Sequence, residues 1–189
     1  MSSKLQGSLK PSVRDLFRNW WPVAVWLVVI RLESTDYASA SNTFSLMYRV
    51  AQAIFGRIDP AFVFAVDRIL RKCGHIVGYA ILSLLVFLAL KYTHRDRLRP
   101  WLRRPWGIFL RDIWQLEWAA TAVLFTAVTG AFDEIHQSFI PSRTSSWHDV
   151  ALDTAGALVI QLLLYFRASH LTSLQSEHLV EKHEPSLTQ

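Results

Sequence analysis

The stretch CGHIVGYAILSLLVFLAL, Cys73–Leu90, decides what kind of protein this is. His75 is its only residue that titrates near neutral pH, and the rest is almost wholly apolar. A helix that crosses a bilayer needs about 20 mostly apolar residues, with tolerance down to about 17. This run qualifies unaided. Three weaker runs lie outward from it: one centred on Trp20–Leu32, one at Trp118–Phe132, and one at Val150–Phe166 that only Asp153 interrupts. Each needs polar residues at its ends, which an interior-facing bundle helix tolerates. Trp20, Trp21, Trp114, Trp118 and Trp147 fall at the predicted boundaries, where amphipathic rings are favoured. The expectation is an all-α integral membrane bundle of four transmembrane helices.

Composition agrees. Of 189 residues 51% are hydrophobic, with eight Trp and eleven Phe, and no Pro/Gly/Ser-rich linker divides the chain. The expected division is a basic tail (1–19), one membrane domain (20–166) and a polar tail (167–189) read as solvated or disordered. The net charge of +5 does not form a stripe suited to nucleic acid; the basic residues flank apolar runs. Cys73 is the only cysteine, so no intrachain disulfide forms.

Loop charges predict an orientation. Lys4, Lys10, Arg14 and Arg18 precede the first run, and Lys91, Arg95, Arg97, Arg99, Arg103, Arg104 and Arg111 lie between the second and third. Only Arg143 lies between the third and fourth. The positive-inside rule puts both termini and the central basic loop in the cytoplasm. Arg49, Arg57, Arg68, Arg71 and Lys72 run against this in the first outer loop. The apolar pieces of that loop, Phe44–Phe55 and Ala61–Leu70, read as interfacial or re-entrant helices. A cleaved signal peptide ending at Ala38-Ser39-Ala40 is the minority reading, because Arg31, Glu33 and Asp36 crowd the place of a neutral cleavage region.

On this topology one outer end collects the chemistry. The segment DEIHQSFIPSRTSSWHDVALDTAG, Asp133–Gly156, holds Asp133, Glu134, His136, Gln137, Arg143, His148, Asp149 and Asp153, and His75 opens the second run. Lys72, His75 and Tyr79 share one helix face, as do Asp149, Asp153 and Gly156, and Gly156 admits a close neighbouring helix. Taken singly, these residues have plain explanations. His75 can bond a nearby carbonyl, and Asp149 suits a helix N-terminus. Asp153 weighs against a purely structural account. An unpaired acid inside an apolar run costs about 2.5–3.5 kcal/mol at the centre of a span and less near its end, and Lys72, His75 and Arg143 are the available partners.

These residues also carry a resemblance. DEIHQSFIPSR followed by DVALDTAG, with the upstream Lys72, His75 and Tyr79, resembles the VanZ-like family of small polytopic membrane proteins, over roughly His75–Phe166. The departures are Arg71 where an acid usually precedes the lysine, Ser142 where glycine is common, and Asp153 where asparagine is frequent. The family is named for a member associated with teicoplanin resistance. The resemblance therefore implies an envelope-associated protein of the bacterial cytoplasmic membrane more firmly than it implies a reaction.

Two functions follow as expectations. In the first, Arg143 and Lys72 hold the anionic headgroup of a membrane lipid or lipid-linked cell-wall precursor, with Tyr79, Gln137, Asp149 and Asp153 completing the binding site. In the second, an outer-leaflet enzyme uses His75 or His136 as base or nucleophile, Asp133 or Glu134 as its acid/base partner, and Arg143 against developing phosphate charge. No cofactor or metal is expected, because H-E-x-x-H, D-x-D-x-D and a cysteine cluster are all absent. A transporter is the weakest option, since four short spans leave little room.

Overall fold

The computed structural model describes residues 12–35, 40–93, 114–140 and 145–183. Local chemistry sets where each helix begins and ends. The Ser12 hydroxyl accepts the Arg14 N–H at 3.4 Å to cap α1, Val13–Glu33. Asp15 in its first turn and Arg31 in its last suit the helix dipole. Helix α2, Ala40–Phe55, closes on Gly56, whose φ of 76° lies in the left-handed region that glycine enters freely. Asp59 accepts the Ala61 N–H at 2.9 Å and Pro60 takes the first helical position, a favoured start for α3, Pro60–Thr93. Helix α4 spans Leu116–Gln137. Ser146 accepts the His148 N–H at 3.2 Å to cap α5, Trp147–His183. The described residues contain these five helices and no strand.

Helix α3 is the centre of the bundle and packs against all four of the others. Helix α1 runs antiparallel to it. At one end Asn19 and Trp20 donate to the Thr93 hydroxyl at 3.4 and 3.2 Å, and farther along Trp26 donates to the Gly78 carbonyl at 2.8 Å. Helix α4 is also antiparallel, with Trp118 edge-on to Phe87 and Gly130 beside Tyr79. Helix α5 runs parallel to α3, and the pairs His75–Asp153 and Ser83–Gln161 follow in order down the seam. Tyr79, Leu82, Val86, Phe87, Ala119 and Ala122 fill the core between them. The tightest point is Gly156. A Cβ there would lie 2.5 Å from the Ile76 carbonyl oxygen, so the two backbones touch where the sequence anticipated a close approach.

The outside of the bundle is apolar. Val25, Val28 and Leu32 on α1, Leu124, Val128 and Phe132 on α4, and Leu158, Val159, Leu162 and Phe166 on α5 are all exposed. Helix α3 and the stretch Trp147–Leu171 of α5 are long and apolar enough to cross a membrane.

Two sequence readings differ from the structure. Ala61–Leu70 is not a separate interfacial piece but the first turns of α3. The residues after Arg167 are not irregular, since α5 continues through them to His183. In both places charged and polar residues lower hydropathy without breaking helix, because Lys, Arg, Gln, Glu and Leu are good helix formers. Phe44–Phe55 does form its own helix, within α2.

The Gly156 contact makes a direct prediction. Gly156→Ala should lower stability by about 1–3 kcal/mol, since the methyl meets backbone that cannot rotate away. Gly74→Ala should leave stability unchanged or raise it, because a Cβ there has nothing within 4 Å and alanine favours helix. Thermal unfolding of the two variants in the same detergent checks the pair; equal melting temperatures would contradict it.

Candidate functional site

The end of the bundle away from Thr93 holds a small, partly open cleft. Ile30, Glu33 and Ser34 from α1, Gly74, His75, Gly78 and Tyr79 from α3, and Asp133 and Gln137 from α4 line it. Asp153 on α5 is not a lining residue but contacts His75, which is. Its Oδ1 lies 3.4 Å from His75 Nδ1, an ion-pair distance when the imidazole is protonated, although the two are not aligned as a hydrogen bond. Asp153 is 1% exposed, and its Oδ2 would stand 3.2 Å from a Cβ on Gly130. A methyl on residue 130 would press on the acid, which would have to shift by a few tenths of an ångström. The His75 ring stacks on Tyr79 with centroids 6.2 Å apart, so α3 presents the two aromatic rings as one plate beside the acid.

On α4 the amide of Gln137 donates to Asp133 Oδ2 at 2.8 Å, one turn apart, leaving the other Asp133 oxygen without this donor. Glu134, past the end of the apolar run, accepts the Ser146 N–H at 2.7 Å and so ties α4 to the start of α5. This acid staples two helix ends; it does not line the cleft.

The candidate residues thus separate. His75, Tyr79, Asp133, Gln137 and Asp153 come together in or directly beside the cleft. Asp149 sits at the head of α5, half-buried, with its N–H on the Ser146 carbonyl. His136 is half-buried outside the cleft lining, and its Nδ1 has no partner. Lys72 is exposed, and neither ion pair among the described residues involves it. Arg143 lies outside the described residues. No group of three or more His, Cys, Asp or Glu among the described residues has metal-binding geometry.

Sequence reasoning missed several participants. Ser34 is 2% exposed with an unpartnered hydroxyl at the cleft. Glu33 was weighed only against a cleavage site. Gly74 and Gly78, one turn apart and directly preceding His75 and Tyr79, were a readable sign of a hollow on α3. Deeper in the seam Gln161 donates to the Ser83 hydroxyl at 2.9 Å, a pairing 78 residues apart that no local pattern announces.

No curated protein and no solved structure matches the chain. A family model described as VanZ/LLP1 matches residues 19–168, a stretch that takes in every helix lining the cleft. With that match over most of its length, the chain belongs to the VanZ/LLP1 family.

Proposed function

We propose that this is a four-span protein of the bacterial cytoplasmic membrane that holds the polar headgroup of an envelope lipid or lipid-linked cell-wall precursor in the cleft, at the outer face, and thereby affects tolerance to glycopeptides. One observation carries the reading: a polar cleft opens at the end of a bundle whose flanks are apolar. That is where a lipid bound to those flanks presents its headgroup. Helices α1 and α4, with 21 and 22 residues, are about 31–33 Å long at 1.5 Å per residue, enough to match a hydrocarbon core of about 30 Å. Arg14, Asp15 and Arg18 sit at one end of α1 and Arg31 and Glu33 at the other, as a span requires. Helix α3 ends and α4 begins opposite the cleft, and the sequence that joins them carries seven Lys/Arg, which supports an outward-facing site. The anionic part of a headgroup would meet Lys72, one turn before His75, and Arg143 on the α4–α5 connection. A guanidinium fork suits phosphate oxygens.

The His75–Asp153 contact favours a second reading. A histidine next to a buried carboxylate is the pairing from which a general base is built, so an outer-leaflet enzyme acting on a lipid-linked substrate is the alternative.

Topology is the first check. In a Cys73→Ser background, cysteines at Ser145 and Arg99 should label from opposite sides, Ser145→Cys from outside. Labelling of Arg99→Cys by an impermeant reagent from outside would invert the topology.

The two functions separate on side-chain chemistry. Under binding, Arg143→Lys keeps the charge but loses the fork, and lipid retention measured by native mass spectrometry should fall about tenfold, equivalent to about 1.4 kcal/mol. Glu134→Gln should keep glycopeptide tolerance, because the glutamine oxygen still accepts from Ser146. Loss of tolerance with Glu134→Gln and His75→Ala, alongside unchanged lipid retention, would instead favour the enzyme.

A further inference from the structure

We infer that the cleft selects a headgroup bearing a protonated amine that carries N–H groups. This deepens the headgroup reading above and rests on it. The hollow exists because α3 has two turns without side chains. A Cβ on Gly74 or on Gly78 would meet nothing within 4 Å, so the space beside both backbones is open. Around that space stand two hydroxyls with no partner, Ser34 Oγ and Tyr79 Oη, on residues each 2% exposed. Leaving a buried polar atom unpaired costs about 1–3 kcal/mol. Two such atoms in one cleft, one from α1 and one from α3, point to a group that binds there.

Charge identifies the group. Glu33 and Asp133 line the cleft, Asp153 contacts His75, and no Lys or Arg is among the lining residues. Either hydroxyl can donate to a phosphate, but a phosphate seated here would face carboxylates across a few ångströms in a poorly solvated site. Like charges so placed repel strongly. An ammonium group has the opposite fit. It carries three donors and no acceptor, and Ser34 Oγ, Tyr79 Oη and Asp133 are acceptors contributed by three different helices, with Tyr79 beside Asp133. Asp133 is held for this role by Gln137, which takes up Oδ2. The phosphate of the same headgroup then stays at the rim, on the side of exposed Lys72.

The test uses the full chain in detergent micelles and native mass spectrometry with three phospholipids of identical acyl chains. Their headgroups are aminoethyl, trimethylaminoethyl and glycerol. The aminoethyl lipid should bind at least tenfold more tightly than the glycerol lipid, and the trimethylated lipid, which has no N–H, should lose most of that advantage. Asp133→Asn should remove at least fivefold of the preference. So should Gly78→Ala, whose methyl enters the open space without touching other residues, so that folding is preserved. Ethylammonium chloride should compete with the aminoethyl lipid, and sodium chloride at equal strength should not. Equal binding of all three lipids, weakened together by Gly78→Ala, would overturn the amine while leaving the headgroup site standing. Equal competition by the two salts would also overturn it. If Gly78→Ala and Asp133→Asn change the retention of none of the lipids, the headgroup site falls and the amine with it.

Discussion

The contact between Gly156 and the Ile76 carbonyl is the constraint on which the site depends. Only when α5 lies directly on the α3 backbone does Asp153, one turn earlier, reach His75 and occupy the space that Gly130 vacates on α4. A carboxylate that deep in an apolar bundle is tolerated with a partner and costly without one. The helix crossing, the missing side chain at residue 130 and the histidine are therefore one arrangement. Moving α5 outward by the width of a methyl group would separate the acid from its partner before it disturbed the hydrophobic core.

Farther down the same seam, Gln161 and Ser83 repeat the device without charge. The Gln161 amide reaches both the hydroxyl and the carbonyl of Ser83, at 2.9 and 3.3 Å. Interhelical hydrogen bonds of this kind in membranes average about 0.6 kcal/mol, so their value lies in register more than in strength. A one-turn slip of α5 would strand both Gln161 and Asp153. The two pairs thus set the height of α5 against α3, while Leu82, Val86 and Phe87 supply the bulk of the packing.

Much of this was legible in the sequence, because the information was local. The apolar runs named the four helices that pack together, and Gly156 beside two acids signalled a close crossing. Helical spacing puts Lys72 on one broad face with His75 and Tyr79; in the structure the lysine is exposed while Tyr79 is buried. Ser34, a C-cap residue on another helix, enters the cleft through tertiary packing that no window of sequence contains. Hydropathy also placed a break before Cys73, where Arg68, Arg71 and Lys72 interrupt the apolar pattern. The backbone makes none, because helix continuity depends on propensity and hydrogen bonding rather than on polarity.

That continuity has a consequence for where the protein can reside. Helix α3, at 34 residues, is about 51 Å long, and α5, at 37, about 55 Å, each well beyond a hydrocarbon core of about 30 Å. Their excess lies at opposite ends, before Cys73 on α3 and after Arg167 on α5. At either end, a thicker or thinner bilayer changes only which side chains contact lipid, and no backbone N–H or C=O loses its partner as the boundary moves. On the proposed four-span topology α1 and α4 have no such reserve. Differences in membrane thickness would then be taken up at their termini, and Glu33, Ser34, Asp133 and Gln137 are all found there.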